Sequence, residues 1–166
     1  MNFELSEEQR LFQDAVRGIA ERHLADGALA RAHNPSFPMD VMKLIAEQGL
    51  IGITIPEADG GQGGTLMDAI LAIEQVALVC PRSADAVQSG NFGPLRTFAE
   101  YASPLQKERY FSNLLAGKEI IALGMTESEA GSAVTDLSTR AVPDGDGFRI
   151  TGGKVFTSNS PDANLF

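Results

Sequence analysis

The stretch Ile120-Ile121-Ala122-Leu123-Gly124-Met125-Thr126-Glu127-Ser128-Glu129-Ala130-Gly131-Ser132 marks a change in the character of the chain. Before it, apolar residues recur at three- and four-residue spacing, the period of an amphipathic helix. From Lys118 onward they come in short runs separated by glycine turns. Ile120 to Met125 predicts a strand. Small hydroxyl residues and glycine follow it, a composition that brings backbone N–H groups close to a bulky, electron-rich ligand. The residues alone leave two readings of Leu123 to Ser132 open: a ligand-free tight loop, or a segment that holds a cofactor.

Upstream, the pattern is helical. Ser6 followed by Gln9 predicts a capping box. Leu11, Phe12, Ala15, Val16, Ile19, Ala20 and Leu24 then give one apolar helix face, closed near Asp26-Gly27. Pro38 opens a second helix, with Val41, Leu44 and Ile45 inward and Gly49 as its C-terminal cap. The apolar run Leu50 to Ile55, closed by Pro56, is compatible with an extended segment. Residues 60–64 are glycine-rich but lack the Lys-Ser/Thr ending and the βαβ setting of a phosphate loop, and they read as a plain loop. Thr65 caps a third helix, whose inner face is predicted as Leu66, Ala69, Ile70, Ile73, Val76 and Ala77. One or two helices cover residues 83–101, broken near Gly90 to Pro94. Ser103-Pro104-Leu105-Gln106 starts the last, which Gly117 ends.

Downstream, Leu137 to Val142, Phe148 to Thr151 and Lys154 to Thr157 predict strands, with a hairpin turn at Asp144-Gly145-Asp146-Gly147. Ala163 to Phe166 reads as the opening of one more. The fold class is therefore α+β: an all-α helical domain over residues 1–118, then a β domain over residues 119–166.

Composition excludes several classes. The 166 residues are 43% hydrophobic and 21% charged, the balance of a folded globular chain. A net charge of −9 argues against nonspecific nucleic-acid binding and against anionic lipid surfaces. Glu4, Glu7 and Glu8 stand where a signal peptide needs basic residues, and no apolar run nears the ~20 residues of a membrane span. A cytoplasmic protein is the default. Cys80 is the single cysteine and reads as a buried structural thiol with no cation nearby in sequence. His23 and His33 have no third ligand candidate near them, so no metal site is predicted. Glu127 and Glu129 read as solvated loop charges, and Lys107-Glu108-Arg109 as a solvated helix face. Ser132 has no His and Asp partners for a hydrolase triad.

Five segments in order carry a wider pattern: Leu5-Ser6-Glu7-Glu8-Gln9; Gly49 to Pro56 followed by Gly60-Gly61; Gln106-Lys107-Glu108-Arg109-Tyr110; Met125 to Ser132; and Ile150 to Asn159. Together they resemble the N-terminal portion of the acyl-CoA dehydrogenase family, the last two resembling its first and second flavin motifs. The resemblance implies an all-helical bundle followed by the first strands of a β-barrel-like middle domain, with the family's C-terminal helical bundle absent. It implies FAD as cofactor and α,β-dehydrogenation of an acyl-CoA thioester, with hydride passing to flavin N5. Carried over by position, Leu123, Met125 and Thr126 line the isoalloxazine, and Thr126 bonds its pyrimidine edge. Gly131 admits close approach, and Ser132 contacts cofactor phosphate or substrate. Phe156 and Thr157 pack or bond at the flavin, and Ser158 sits near N5. Phe92 and Leu95 are candidates for the acyl pocket.

The catalytic base is expected in the absent C-terminal region, so no residue of this chain is assigned that role and the chain alone is expected to be inactive. Electron-transfer flavoprotein is the implied acceptor, and a homo-oligomer, dimer or tetramer, the implied assembly of the parent protein. Ala133, Phe156, Ser158 and Asn159-Ser160 depart from the family's usual Asp, Trp, Thr and Asn-Gly. They leave two alternatives beside the dehydrogenase: a same-fold flavin monooxygenase, and a cofactor-free helical interaction module or partner subunit.

Overall fold

A computed structural model describes residues 4–166. The chain forms two compact units, Met1–Ile120 and Ile121–Phe166. The first contains helices α1 (Glu7–His23), α2 (Ala28–Ala32), α3 (Met39–Glu47), α4 (Leu66–Ala77), α5 (Pro81–Ser89), α6 (Pro94–Tyr101) and α7 (Pro104–Leu115), with a 3₁₀ turn at Glu57–Asp59. The second contains one antiparallel hairpin, β1 (Arg140–Asp144) and β2 (Gly147–Thr151).

Local chemistry sets the helix starts. Ser6, Thr65 and Ser103 each close a capping box, with Gln9, Asp68 and Gln106 answering from the third helical position. Each box satisfies two backbone donors that a helix N-terminus otherwise leaves open. Pro81, Pro94 and Pro104 occupy first turns, where a missing N–H costs nothing. The short α2, begun at Gly27 without a side-chain cap, has no counterpart in the sequence prediction.

Packing chooses faces that periodicity leaves undecided. In α1 the buried residues are Val16 and Ala20, continued by Leu24, while Leu11 and Ala15 are exposed. In α4 the buried residues are Ala69, Leu71, Ala72, Gln75 and Val76, and the predicted Leu66 and Ile70 are exposed. That helix is apolar nearly all round, so its sequence alone does not select a face. Arg17 on α1 selects it, donating from Nε (2.9 Å) and a terminal nitrogen (2.6 Å) to the Gln75 side-chain oxygen.

The run Leu50 to Ile55 is not a strand. It is a series of turns, and Leu50, Ile51, Ile53 and Ile55 are all buried. Asn91, fully buried between α5 and α6, satisfies its backbone. The Asn91 oxygen accepts from Ile53 N–H (2.7 Å), and its nitrogen donates to the Leu50 carbonyl (2.7 Å) and the Val87 carbonyl (2.8 Å). The glycine-rich loop then folds back. The five amides from Gly60 to Gly64 all donate to carbonyls of residues 52–57, so none is left for a phosphate. Gly61 must lack a side chain, because a Cβ there would lie 2.3 Å from the Ile55 carbonyl oxygen. Lys107, expected on a solvated face, is half-buried and bonds both oxygens of Asp59 at 2.8 and 2.9 Å.

Cys80 is fully buried, and a cation does reach it: Arg31 Nε lies 3.5 Å from the sulfur, and Ser83 Oγ 3.0 Å. Burial pushes the thiol up, but the Ser83 and Arg31 donors more than offset it and leave it below its ordinary value. Arg31 comes from 49 residues upstream, a distance no local reading of the sequence spans.

Ile120 to Met125, Lys154 to Thr157 and Ala163 to Phe166, all predicted as strands, are not strands. Ile121 makes a single parallel bridge, to Leu165, and Val155 a single hydrogen bond, to Thr126. A strand needs a ladder of such bonds along its length, and among the described residues only β1 and β2 have one. β1 begins three residues later than predicted, at Arg140.

Removing the Asn91 side chain strands two carbonyls and one N–H in an apolar interior, each worth about 1–3 kcal/mol when buried unpaired. Asn91→Ala should therefore lower the unfolding free energy by at least about 3 kcal/mol. Asn91→Asp keeps the acceptor for Ile53 but turns a buried carboxylate oxygen on the Leu50 and Val87 carbonyls, and should cost at least as much. Denaturant unfolding followed by far-UV circular dichroism measures both; an alanine variant within 1 kcal/mol of wild type, about the worth of one ordinary hydrogen bond, would contradict the assignment.

Candidate functional site: two donor segments joined by a buried ion pair

The residues assigned to a cofactor by resemblance all fall in the second unit, and the acyl-pocket candidates Phe92 and Leu95 in the first. Leu123 and Met125 are 42% and 48% exposed. Phe156 is 92% exposed and holds a positive φ of 55°, a strained conformation for a bulky residue. Gly131, Ser132 and Ser158 are exposed, while Thr126 and Thr157 are half-buried.

Two of these segments lie against each other. Val155 N–H donates to the Thr126 carbonyl at 2.9 Å, and a side chain at Gly124 would come within 3.4 Å of Thr157 Oγ1. Among the described residues, the backbone N–H groups of Met125, Thr126, Phe156, Thr157 and Ser158 have no partner within the chain. Gly131 and Ser132 follow a tight turn in which Glu127 and Ala130 exchange backbone bonds of 3.0 and 3.2 Å. No hydrogen bond among the described residues joins them to residues 156–158. A side chain at Gly131 would meet nothing within 4 Å, so the fold itself does not require glycine there.

Glu127, read from sequence as a solvated loop charge, is 5% exposed. Its carboxylate accepts four hydrogen bonds. One oxygen takes Ser138 N–H and Ser138 Oγ, both at 2.6 Å. The other takes Thr139 N–H at 3.0 Å and Lys154 Nζ at 2.8 Å. Lys154 Nζ also donates to the Met125 carbonyl at 3.0 Å. The Lys154 ammonium, followed by the Ser138 and Thr139 donors, holds the Glu127 carboxyl far below the usual carboxylate range. Glu129, two residues on, is exposed as expected. The sequence reading missed Lys154, Ser138 and Thr139, which come from up to 27 residues away.

The donor set fits a flavin ring. Free backbone N–H groups and hydroxyls stand beside exposed apolar side chains, the mixture that a ring with a polar pyrimidine edge and an apolar face requires. The helical unit offers a separate cleft of about 220 Å³ between Thr54–Pro56 and Arg96–Glu100. Neither Phe92 nor Leu95 lines it; Phe92 is half-buried, and Leu95 is buried in the helical core. No helix among the described residues is long and apolar enough to cross a membrane.

Residues 6–118 match the family model described as acyl-CoA dehydrogenase, N-terminal domain. The chain is 34% identical to a 3-sulfinopropanoyl-CoA desulfinase of Paraburkholderia xenovorans, across 92% of this chain and 39% of that protein. It is also 34% identical to a probable acyl-CoA dehydrogenase of Bacillus subtilis, across 96% of this chain and 42% of that protein. A solved probable acyl-CoA dehydrogenase from Mycobacterium abscessus superposes with a TM-score of 0.80 at 32% identity, covering 96% of this chain and 43% of that one. The FAD complex of PigA shares the fold with a TM-score of 0.88 at 24% identity, over 99% of this chain and 44% of that one. The chain thus spans about two fifths of the length of the curated relatives it matches.

Two outcomes follow from the geometry. A Glu127 carboxyl depressed in the folded state stabilises fully above the unfolded carboxyl pKa of about 4.3 and loses that contribution as pH falls further. The difference in amide protection at Ser138 and Thr139 between wild type and Glu127→Gln should be greatest above about pH 5 and shrink below about pH 4. A pH-independent difference would contradict an ionised Glu127. Gly152 has a φ of 148°, and a Cβ there would lie 2.3 Å from Thr139 Oγ1. Gly152→Ala should cost about 1–3 kcal/mol and speed hydrogen exchange across β1 and β2; unchanged exchange would show that the position tolerates a side chain.

Proposed function

The chain belongs to the acyl-CoA dehydrogenase family, and on that premise we propose that it is the N-terminal part of an FAD-dependent enzyme that dehydrogenates an acyl-CoA thioester between Cα and Cβ. The observation that carries this reading is the pairing of segments 123–126 and 154–158, which presents unpartnered N–H donors beside exposed Leu123, Met125 and Phe156. FAD, when bound, supplies the two-electron acceptor for the hydride leaving Cβ.

Each of the chain's own residues then has a task. Leu123, Met125 and Phe156 give apolar surface to the ring and exclude water from it. The N–H and hydroxyl of Thr126 donate to the pyrimidine edge, and Thr157 and Ser158 bring further donors to the ring. Gly131 leaves room for close approach, and Ser132 donates to phosphate or substrate. Phe at 156 offers a smaller aromatic face than the family's usual Trp and no indole donor. Phe92 and Leu95 belong to the acyl pocket in this proposal. No residue here takes the α proton; that base is assigned to the C-terminal helical region of the family, and the 166-residue chain alone is expected to be inactive. Reoxidation by electron-transfer flavoprotein, a homo-oligomeric parent and a cytoplasmic setting complete the reading.

The desulfinase relative favours a second reading. It keeps the acyl-CoA but replaces dehydrogenation by hydrolytic cleavage of the C–S bond of a 3-sulfinoacyl group, water supplying the hydrogen left on carbon and the oxygen of the released sulfite. The two differ in product: an enoyl thioester with reduced flavin, or a saturated acyl thioester and sulfite with the flavin left oxidised.

The first test is the visible spectrum of the purified chain after incubation with FAD and desalting. Retained flavin bands that weaken in Phe156→Ala and in Thr126→Ala are the expected result. A colourless protein would overturn cofactor binding by this chain alone and move the flavin reading to the longer parent protein.

A further inference from the structure

We infer that Lys154 and Glu127 form a positioning clamp that sets the direction in which the Thr126 amide is presented. The inference rests on the flavin reading above for what that amide meets, but the clamp itself stands on hydrogen bonds within the second unit.

Lys154 Nζ is shared between the Glu127 carboxylate and the Met125 carbonyl, at 2.8 and 3.0 Å. The peptide between Met125 and Thr126 is planar and trans, so its C=O and N–H point to opposite sides of the chain. Drawing the Met125 oxygen towards Lys154 turns the Thr126 N–H the other way, where it has no partner among the described residues. One residue on, the Thr126 carbonyl is bound to Val155 N–H at 2.9 Å. The peptides on both sides of Thr126 are thus fixed from the segment that leads into Phe156, Thr157 and Ser158.

Glu127 makes the arrangement rigid. Nearly buried, it holds the Lys154 ammonium while three donors from Ser138 and Thr139 hold its carboxylate in place. An ammonium paired only with a carbonyl would be free to swing into solvent. Paired with a fixed carboxylate, it keeps one position, and charge-assisted bonds are the stronger kind. The Lys154 stem packs against Gly124, where an added Cβ would lie 3.2 Å from its Cγ. Neither residue is placed against the cofactor. Both act through the Met125–Thr126 peptide, which makes them positioning residues.

The test compares wild type, Lys154→Met and Lys154→Arg. Amide exchange is followed at Val155 and along β1 and β2 without cofactor, and FAD binding by quenching of flavin fluorescence. Methionine keeps the length of the side chain and removes the ammonium; arginine keeps the charge and the donors. In Lys154→Met, Val155 should lose protection while the hairpin keeps its own, and the apparent Kd for FAD should rise about tenfold, the loss of one charge-assisted bond. Lys154→Arg should recover most of both. Unchanged Val155 exchange, or equal FAD affinity in all three proteins, would overturn the clamp. Loss of hairpin protection together with Val155 would also overturn it, by making the pair a general scaffold of the unit. Absence of flavin binding in wild type, with the Val155 effect intact, would sink the flavin reading and with it the cofactor role of the clamp, while every bond of the clamp was confirmed.

Discussion

The helical unit depends on one buried side-chain amide. A segment that is neither helix nor strand cannot satisfy its own backbone, and each buried N–H or C=O left open costs a large part of a small domain's net stability. Residues 50–55 are such a segment, with four of their side chains in the core. Asn91 resolves the conflict because an amide carries both an acceptor and donors on one short side chain. It meets Ile53, Leu50 and Val87 together, and so ties the turns to the end of α5.

The second unit solves a related problem with charge. It has one hairpin whose residues are all exposed, so apolar burial gives it little order. Beside the hairpin's own ladder, a carboxylate surrounded by four donors fixes the segments that flank it. A buried charge is tolerated only when paired and fully hydrogen-bonded, and Glu127 meets both conditions. Its partners come from the chain before β1 and after β2, so the hairpin leaves and returns through one polar knot.

Much of this was legible in the sequence because it rests on local chemistry. A capping box needs residues three apart, and Ser6 with Gln9 and Ser103 with Gln106 are visible as such. The Pro104 start and the Asp144–Gly147 hairpin are equally local. The rest depends on contacts far apart in the chain. α4 is apolar on more than one face, and the polar bonds that mark the side facing α1, Arg17 to Gln75 and Gln13 to Glu74, come from 58 and 61 residues away. Glu127 differs from the exposed Glu129 in nothing that composition records, since Lys154 and Ser138 are distant in sequence. Asn91 looked like part of a helix break, and nothing beside it names Leu50 or Ile53 as its partners. The β runs had suitable residues, but a strand exists only with neighbours to pair with. For the cofactor positions, resemblance supplied the roles, while the free donors and the strained Phe156 could come only from coordinates.

The glycine loop at residues 60–64 has a bearing on how such chains diverge. Surface loops usually absorb insertions and deletions, because their backbone bonds to water and loses nothing when its length changes. Here every amide of the loop is matched to a particular carbonyl of residues 52–57. Adding or deleting a single residue would shift that register and break several bonds together. A glycine-rich segment of the kind ordinarily counted as spacer is therefore a stretch of fixed length, one in which a lineage can exchange side chains but not change their number.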